Sequence, residues 1–444
     1  MKLVHWVLTA AFFTASCDLI LVFKVGGTIR FAQILILFVM IAALAQILQS
    51  GVVLWPRGAS ALALWCLIQG LLITQSPIPA MSAQLYAVLI FTVLGLLATL
   101  QLYGRSTRIG SLMLAYLASF VFIALFGIFQ LVSPSLHLGT YFVTQWIRHG
   151  QLPRINAFSY EPSYFATYLI MGWIAIIDLK ISRARIVAGN RWSWFIVLLT
   201  CALLFSSSKT ALLLVIFEGL ARLTVIVSRM ARKQALRLRT GSLLMPLPRQ
   251  RIFLRTSAIV IASLVILTIA SRFIDPSTFL SGTGINNTAA HSVVTRKADL
   301  DDTLAVIRQH PWIGRSLGGV PGDVAALHGI HVTNFEECRL YWGIPVPVDM
   351  LAASGILGIG PFLWFFLAIT AGERTLIAQN WPDERAKWLR ALIRALIYEW
   401  LCFVVDQNLM RVYFWFHVTM VVIVGYNLRY SNAEKHSAES PVLA

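Results

Sequence analysis

Charge is what this chain has least of. It holds 19 acidic residues against 36 Lys and Arg among 444, and the four charged types make up only 12% of the sequence. Soluble domains carry roughly a quarter of their residues as charges. A soluble enzyme with a single anchor is therefore excluded. Cysteine is scarce as well. Cys17, Cys66, Cys201, Cys338 and Cys402 lie mostly inside apolar runs, with neither metal-ligand spacing nor an obvious disulfide pair. Cys338 alone falls in a polar stretch and reads as a free thiol. No internal repeat or low-complexity tract stands out. The first apolar run, about residues 3–23, lacks the small-residue cleavage site of a signal peptide, so it reads as a span that stays.

What is present is apolar surface. Hydrophobic residues make up 58% of the sequence, in runs that approach the roughly 20 residues a membrane helix needs. The runs predict an all-α, polytopic membrane protein with twelve helices. They fall near 3–23, 29–50, 60–75, 81–103, 110–133, 161–179, 192–206, 208–228, 253–272, 347–371, 389–405 and 411–428. The net charge of +17 then belongs to loops that set orientation, and a nucleic-acid partner is not expected. With the N-terminus inside, 24 of the 36 Lys and Arg fall on the cytoplasmic side and 12 on the other. That bias predicts an even number of spans with both termini inside. The expected organisation is 1–133, N-terminal spans; 134–272, a core with polar motifs; 273–346, a large outer loop holding short helices; and 347–444, C-terminal spans with a short tail. The cytoplasmic stretch 229–255 carries eight arginines and lysines and no acid. It reads as a topology anchor on anionic lipid.

Three polar interruptions could do chemistry, all on the outer side. Arg154 and Glu161 stand where the sixth span meets water, and ionisable groups at that depth are expensive. Pro162 suits a first helical turn. Glu161 reads either as a cap or partner of Arg154, or as a general base. Ser206-Ser207-Ser208-Lys209-Thr210 breaks an apolar run and reads as an outer turn or a broken helix. Lys209 there is either a snorkelling side chain or a working cation. In 295–308, Leu300, Leu304 and Ile307 recur at helical spacing. Asp299 or Asp301 reads as the cap of that helix in preference to a metal ligand. His310-Pro311-Trp312-Ile313-Gly314-Arg315 then ends it, and His328, His331, Glu336, Glu337 and Arg339 follow. Arg154, Lys209, Arg296, Arg315 and Arg339 thus supply outer cations suited to a diphosphate, which removes the need for a bound metal or cofactor.

These stretches resemble the bacterial O-antigen ligase and O-antigen polymerase superfamily, the Wzy-type membrane glycosyltransferases. Arg154 through Ala166, with Glu161-Pro162-Ser163, is similar to the family's arginine motif in members from exopolysaccharide and capsule clusters. Ser208-Lys209-Thr210 resembles its Ser-Arg element, with lysine in place of arginine. Arg296 through Gly319 resembles the outer-loop arginine, helix and Pro-x-x-Gly turn, and Ser354-Gly355-Ile356-Leu357-Gly358 the span that follows. The resemblance covers about residues 150–370. The chain departs from the family at two points. Ile344-Pro345 falls where a His-Asn pair is often found, and lysine at 209 cannot fork to two oxygens.

The resemblance implies metal-independent transfer on the outer side of the bacterial inner membrane. An acceptor hydroxyl attacks a polyprenyl-diphosphate-linked glycan, and polyprenyl diphosphate leaves. It implies Glu161 as base, with His331 as second choice. Arg154, Arg296 and Lys209 would hold the diphosphate, with Arg315 and Arg339 behind them. Membrane lipid and a chain-length regulator are the other implied partners. Repeat-unit polymerisation leads; the alternatives are a ligase that passes the glycan to a lipid or protein, a polysaccharide flippase or exporter, and a structural membrane subunit.

Overall fold

The computed structural model describes residues 2–24, 28–148, 152–187, 191–240, 290–338, 341, 345–404 and 409–439. Helix accounts for 74% of it, and sheet for little. Five helices among the described residues are long and apolar enough to cross a bilayer. They are α2 (Phe31–Ser50), α4 (Pro79–Tyr103), α5 (Ile109–Val132), α6 (Pro162–Ile181) and α12 (Val346–Thr370), the last continuing through a 3-10 turn into α13 (Arg374–Gln379). Shorter apolar helices are α1 (Lys2–Thr14), α3 (Ala59–Leu72) and α7 (Arg191–Phe205). The others are α8 (Lys209–Thr240), α9 (Ala290–Gln309), α10 (Val320–Leu327), α11 (Phe335–Cys338), α14 (Glu384–Phe403) and α15 (Val412–Glu439). The expected span at 253–272 lies outside the described residues.

Local chemistry accounts for the boundaries. Gly51 ends α2 in the left-handed conformation, at φ 66°. Pro79 and Pro162 open α4 and α6 in the first turn, where a missing N–H goes unnoticed. The 3–23 expectation fails in its second half, because α1 stops at Thr14. Two antiparallel hairpins amend the all-helical expectation: β1 (Val22–Lys24) with β2 (Thr28–Arg30), and β3 (Gln145–Arg148) with β4 (Leu152–Arg154). Asp18 explains the first departure. Its carboxylate binds Arg30 and Arg411, and its N–H donates to the Phe158 carbonyl at 2.9 Å. A helix running on to residue 23 would break that set. The acids at 299 and 301 are not caps, since α9 begins nine residues or more upstream of them, at Ala290.

Contact clustering separates two compact units. The larger comprises residues 1–211 and 298–444. In it α6 packs most extensively on α14, and also on α7. Helix α2 lies against α1 and α4, α3 against α12, and α15 against α14 and α4. Almost every side chain of α6 is buried, as expected of a helix enclosed by others. By contrast Phe38 and Ile41 of α2 are 57% and 58% exposed, the pattern of a face turned to lipid. The smaller unit spans 212–297; within it Glu218 pairs with Arg222 one turn on.

Polar contacts sort the larger unit into two ends. At one end lie Asp18, Arg30, Gln130, the 154–161 segment, Phe205–Ser207 and Arg411. The other holds His5 near Tyr103, Asn427 on the carbonyls of Gly104 and Ser106, Glu373 on Arg429, and Asp178 on Arg390 and Arg394. Since Asp178 is near the close of α6 and Arg390 near the start of α14, these two helices run antiparallel.

Candidate functional site

The first of these ends holds the residues expected to work. Gln130, fully buried on α5, anchors the loop before α6. Its amide carbonyl accepts from the N–H groups of Asn156 and Ala157 at 3.1 and 2.7 Å, and its NH2 donates to the carbonyls of Tyr141 and Ala157 at 2.8 and 3.1 Å. Asn156, also fully buried, donates to the carbonyls of Phe142 and Ser159. These bonds fix Ala157 in the left-handed region at φ 47°, a strained state for a residue with a Cβ. The chain between Arg154 and Glu161 is therefore held rigidly.

Arg154 ends β4, directly opposite Gln145 in the ladder. Its Nη1 donates to Gln145 Oε1 at 2.5 Å, while Nε and Nη2 donate to the carbonyls of Ser206 and Ser207, both at 3.3 Å. The Ile155 N–H adds a bond to the Phe205 carbonyl. The expected break at 206–208 is therefore a tight turn between α7 and α8, with Ser207 at φ 50°. Lys209 follows it as the exposed first residue of α8. Burial lowers the Arg154 guanidinium from its ordinary value, and Glu161 pulls the other way. A guanidinium keeps its charge through such a shift.

Glu161 stands in the N-cap position of α6, but its side chain makes no capping bond to the backbone. One carboxylate oxygen accepts from Ser163 Oγ at 3.1 Å. The carboxylate is half-buried at the N-terminus of α6.

Four further residues stand at this end, Asp18, Arg30, Tyr164 and Arg411. The Arg411 guanidinium lies 3.9 Å from the ring centroid of Tyr164, three residues after Glu161. Asp18 accepts from Arg30 Nε at 2.6 Å and from Arg411 Nη1 at 2.8 Å. One carboxylate thus stands between two arginines, and the cluster keeps net positive charge. An arginine directly before an apolar helix was the available signal.

The remaining candidates are not joined to that group by any bond among the described residues. Arg315 is held by Asp323 through two bonds, Nε to Oδ2 at 2.6 Å and Nη2 to Oδ1 at 3.2 Å. His331 is exposed before α11. Among the described residues, neither bonds to the Arg154 group. Arg296 lies on α9, in the smaller unit, with its side chain outside the described residues, as is Arg339. His328 pairs with Asp302 at 2.8 Å.

The Pro-x-x-Gly turn and the Gly-Ile-Leu-Gly element do meet. Helix α12 unwinds at Gly355 (φ 64°), freeing the carbonyls of Ala352 and Ala353. These accept from the N–H groups of Arg315 and Ser316 at 3.0 and 2.8 Å. A Cβ on Gly314 would lie 2.3 Å from the Ala353 carbonyl carbon, and one on Gly355 2.4 Å from the Trp312 oxygen. Cys338 is a free thiol as read, but it is buried with Ile78, Met81, Ala325 and Val332.

No protein-family model matches this chain, and no curated protein does.

Proposed function

We propose that this protein is a metal-independent membrane glycosyltransferase that polymerises polyprenyl-diphosphate-linked repeat units on the outer side of the bacterial inner membrane. The observation that carries the reading is the seating of Arg154 on the Ser206–Ser207 turn, with Glu161 beside it. Two polar motifs some 50 residues apart thereby share one end of a helical, apolar bundle. The reading includes twelve spans with both termini in the cytoplasm, so that this end faces outward.

In the proposed reaction Glu161 takes the proton of an acceptor hydroxyl, and the hydroxyl oxygen attacks the anomeric carbon of the donor. The bond from that carbon to the diphosphate oxygen breaks, and polyprenyl diphosphate departs with the electron pair. Arg154 and Lys209 stabilise the charge that develops on it. Arg411 adds a fixed positive field one turn from Glu161. Arg315, already paired to Asp323, holds the outer turn against α12 instead of meeting substrate.

The test is the purified protein with a synthetic polyprenyl-diphosphate repeat unit and a chelator. Polymer ladders without an added acceptor support the proposal. Product only with a lipid or protein acceptor identifies a ligase. Transfer abolished by the chelator, or no transfer under any condition, overturns it.

A further inference from the structure

Asp178 is near the close of α6, 17 residues past Glu161. At ~1.5 Å per residue that is about 25 Å along the helix, so its surroundings are separate from the candidate site. Its fully buried carboxylate is bound by two arginines of α14, Arg390 Nε to Oδ2 at 3.1 Å and Arg394 Nη1 to Oδ1 at 3.0 Å. Beside them α12, α13 and α14 line an open trough of about 280 Å³. Its aliphatic wall comes from Ile377, Ile393 and Ile397, and its cations are Arg374, Arg390 and Arg394. Among the described residues no carboxylate lines it, and Asp178, bound to Arg390 and Arg394, lies beside it. Arg374 is exposed at the start of α13.

The volume falls just under the roughly 300–1,000 Å³ of pockets that engulf a small molecule. An occupant must therefore lie partly outside it, along the bundle surface. Trp381 stacks on Arg390 at 4.9 Å, which fits a side chain at the level where hydrocarbon meets water. The same end carries Lys180, Arg183 and Arg185, and the Arg185 N–H donates to Glu384 Oε2 at 2.7 Å. Guanidiniums pair with phosphate through charge-assisted bonds, and aliphatic walls take hydrocarbon. One molecule that asks for both at once is an amphiphile with a phosphodiester head.

We propose that this trough binds an anionic phospholipid, with its phosphodiester on Arg374 and the exposed edges of Arg390 and Arg394, and one acyl chain along Ile377, Ile393 and Ile397. The lipid braces α13 against α14 and takes no part in the transfer chemistry. Neutral amphiphiles lack the charge, and soluble phosphates lack the chain.

Native mass spectrometry of the full-length protein tests this, using phosphatidylglycerol and phosphatidylethanolamine with identical acyl chains, and glycerol phosphate as competitor. The wild type should hold one phosphatidylglycerol about tenfold more tightly than phosphatidylethanolamine. Arg374→Gln should remove most of that preference. Ile397→Trp, which fills the trough without touching a charge, should weaken both lipids. Arg374 and Ile397 are solvent- or lipid-facing, so gel filtration and circular dichroism should be unchanged. Equal retention of the two lipids, or an unaltered preference in Arg374→Gln, overturns the proposal. Displacement by glycerol phosphate as effective as by the lipid also overturns it, and identifies a free-anion site.

Discussion

Arg154 spends three of its donors on the protein itself, yet it remains half-buried with a carboxylate nearby and two strands and a turn around it. Its replacement by Ala should therefore do two things. Transition-state charge loses a donor worth roughly 10²–10³ in rate, and the Ser206–Ser207 turn loses its brace. Arg154→Lys separates these effects, because it restores charge without the fork; it should recover part of the polymer yield in the repeat-unit assay. Glu161→Gln keeps the shape and removes the proposed base, so extension should fall at unchanged protein level. Lys209→Arg should retain activity, since a guanidinium holds phosphate at least as well as an ammonium. Asp18→Asn is predicted to act on stability. It leaves Arg30 and Arg411 without their shared carboxylate, the one that pairs with them among the described residues, a loss of about 3–5 kcal/mol, readable as a lowered melting temperature in detergent.

Among the elements, α12 shows what a sequence does and does not disclose. Its apolar run was plain from composition, and the observed helix starts and stops within a residue or so of expectation. The unwinding at Gly355 was not plain, because it depends on a partner 40 residues upstream: Trp312 approaches so closely that only glycine fits. Gly355→Val should cost at least about 2–3 kcal/mol through the backbone conformation and the collision together, measured as thermal destabilisation with loss of the ordered 310–319 turn. The same lesson applies at the other elements. Pro162, Ser207 and the apolar runs announce themselves locally, so the start of α6 and the turn before α8 were legible. The hairpins were not. Their strands are three or four residues long, and what ends α1 early is a carboxylate whose partners stand directly before α2 and α15. Arg154 and Glu161 could be picked out because they interrupt hydrophobic sequence. Arg411 could not be assigned to them, since only the fold places it over Tyr164.

For the whole molecule, the proposed function requires the end that holds Arg154 and Glu161 to face outward. Single-cysteine labelling in intact cells tests the arrangement. His137→Cys, beyond α5, should react with a membrane-impermeant maleimide, whereas Arg183→Cys, beyond α6, should react only after permeabilisation. The reverse pattern would turn the proposed site toward the cytoplasm and remove a periplasmic polymerase from consideration. A last consequence concerns synthesis. Asp18 and Arg411 are 393 residues apart, so at ~5–20 residues per second the carboxylate waits roughly 20–80 s for its second partner to be translated. Until then the opening and closing segments are untied, and a chain cut short before Leu409 never receives the clasp. Such a fragment would hold Asp18 by Arg30 alone, with that end of the bundle left unfinished.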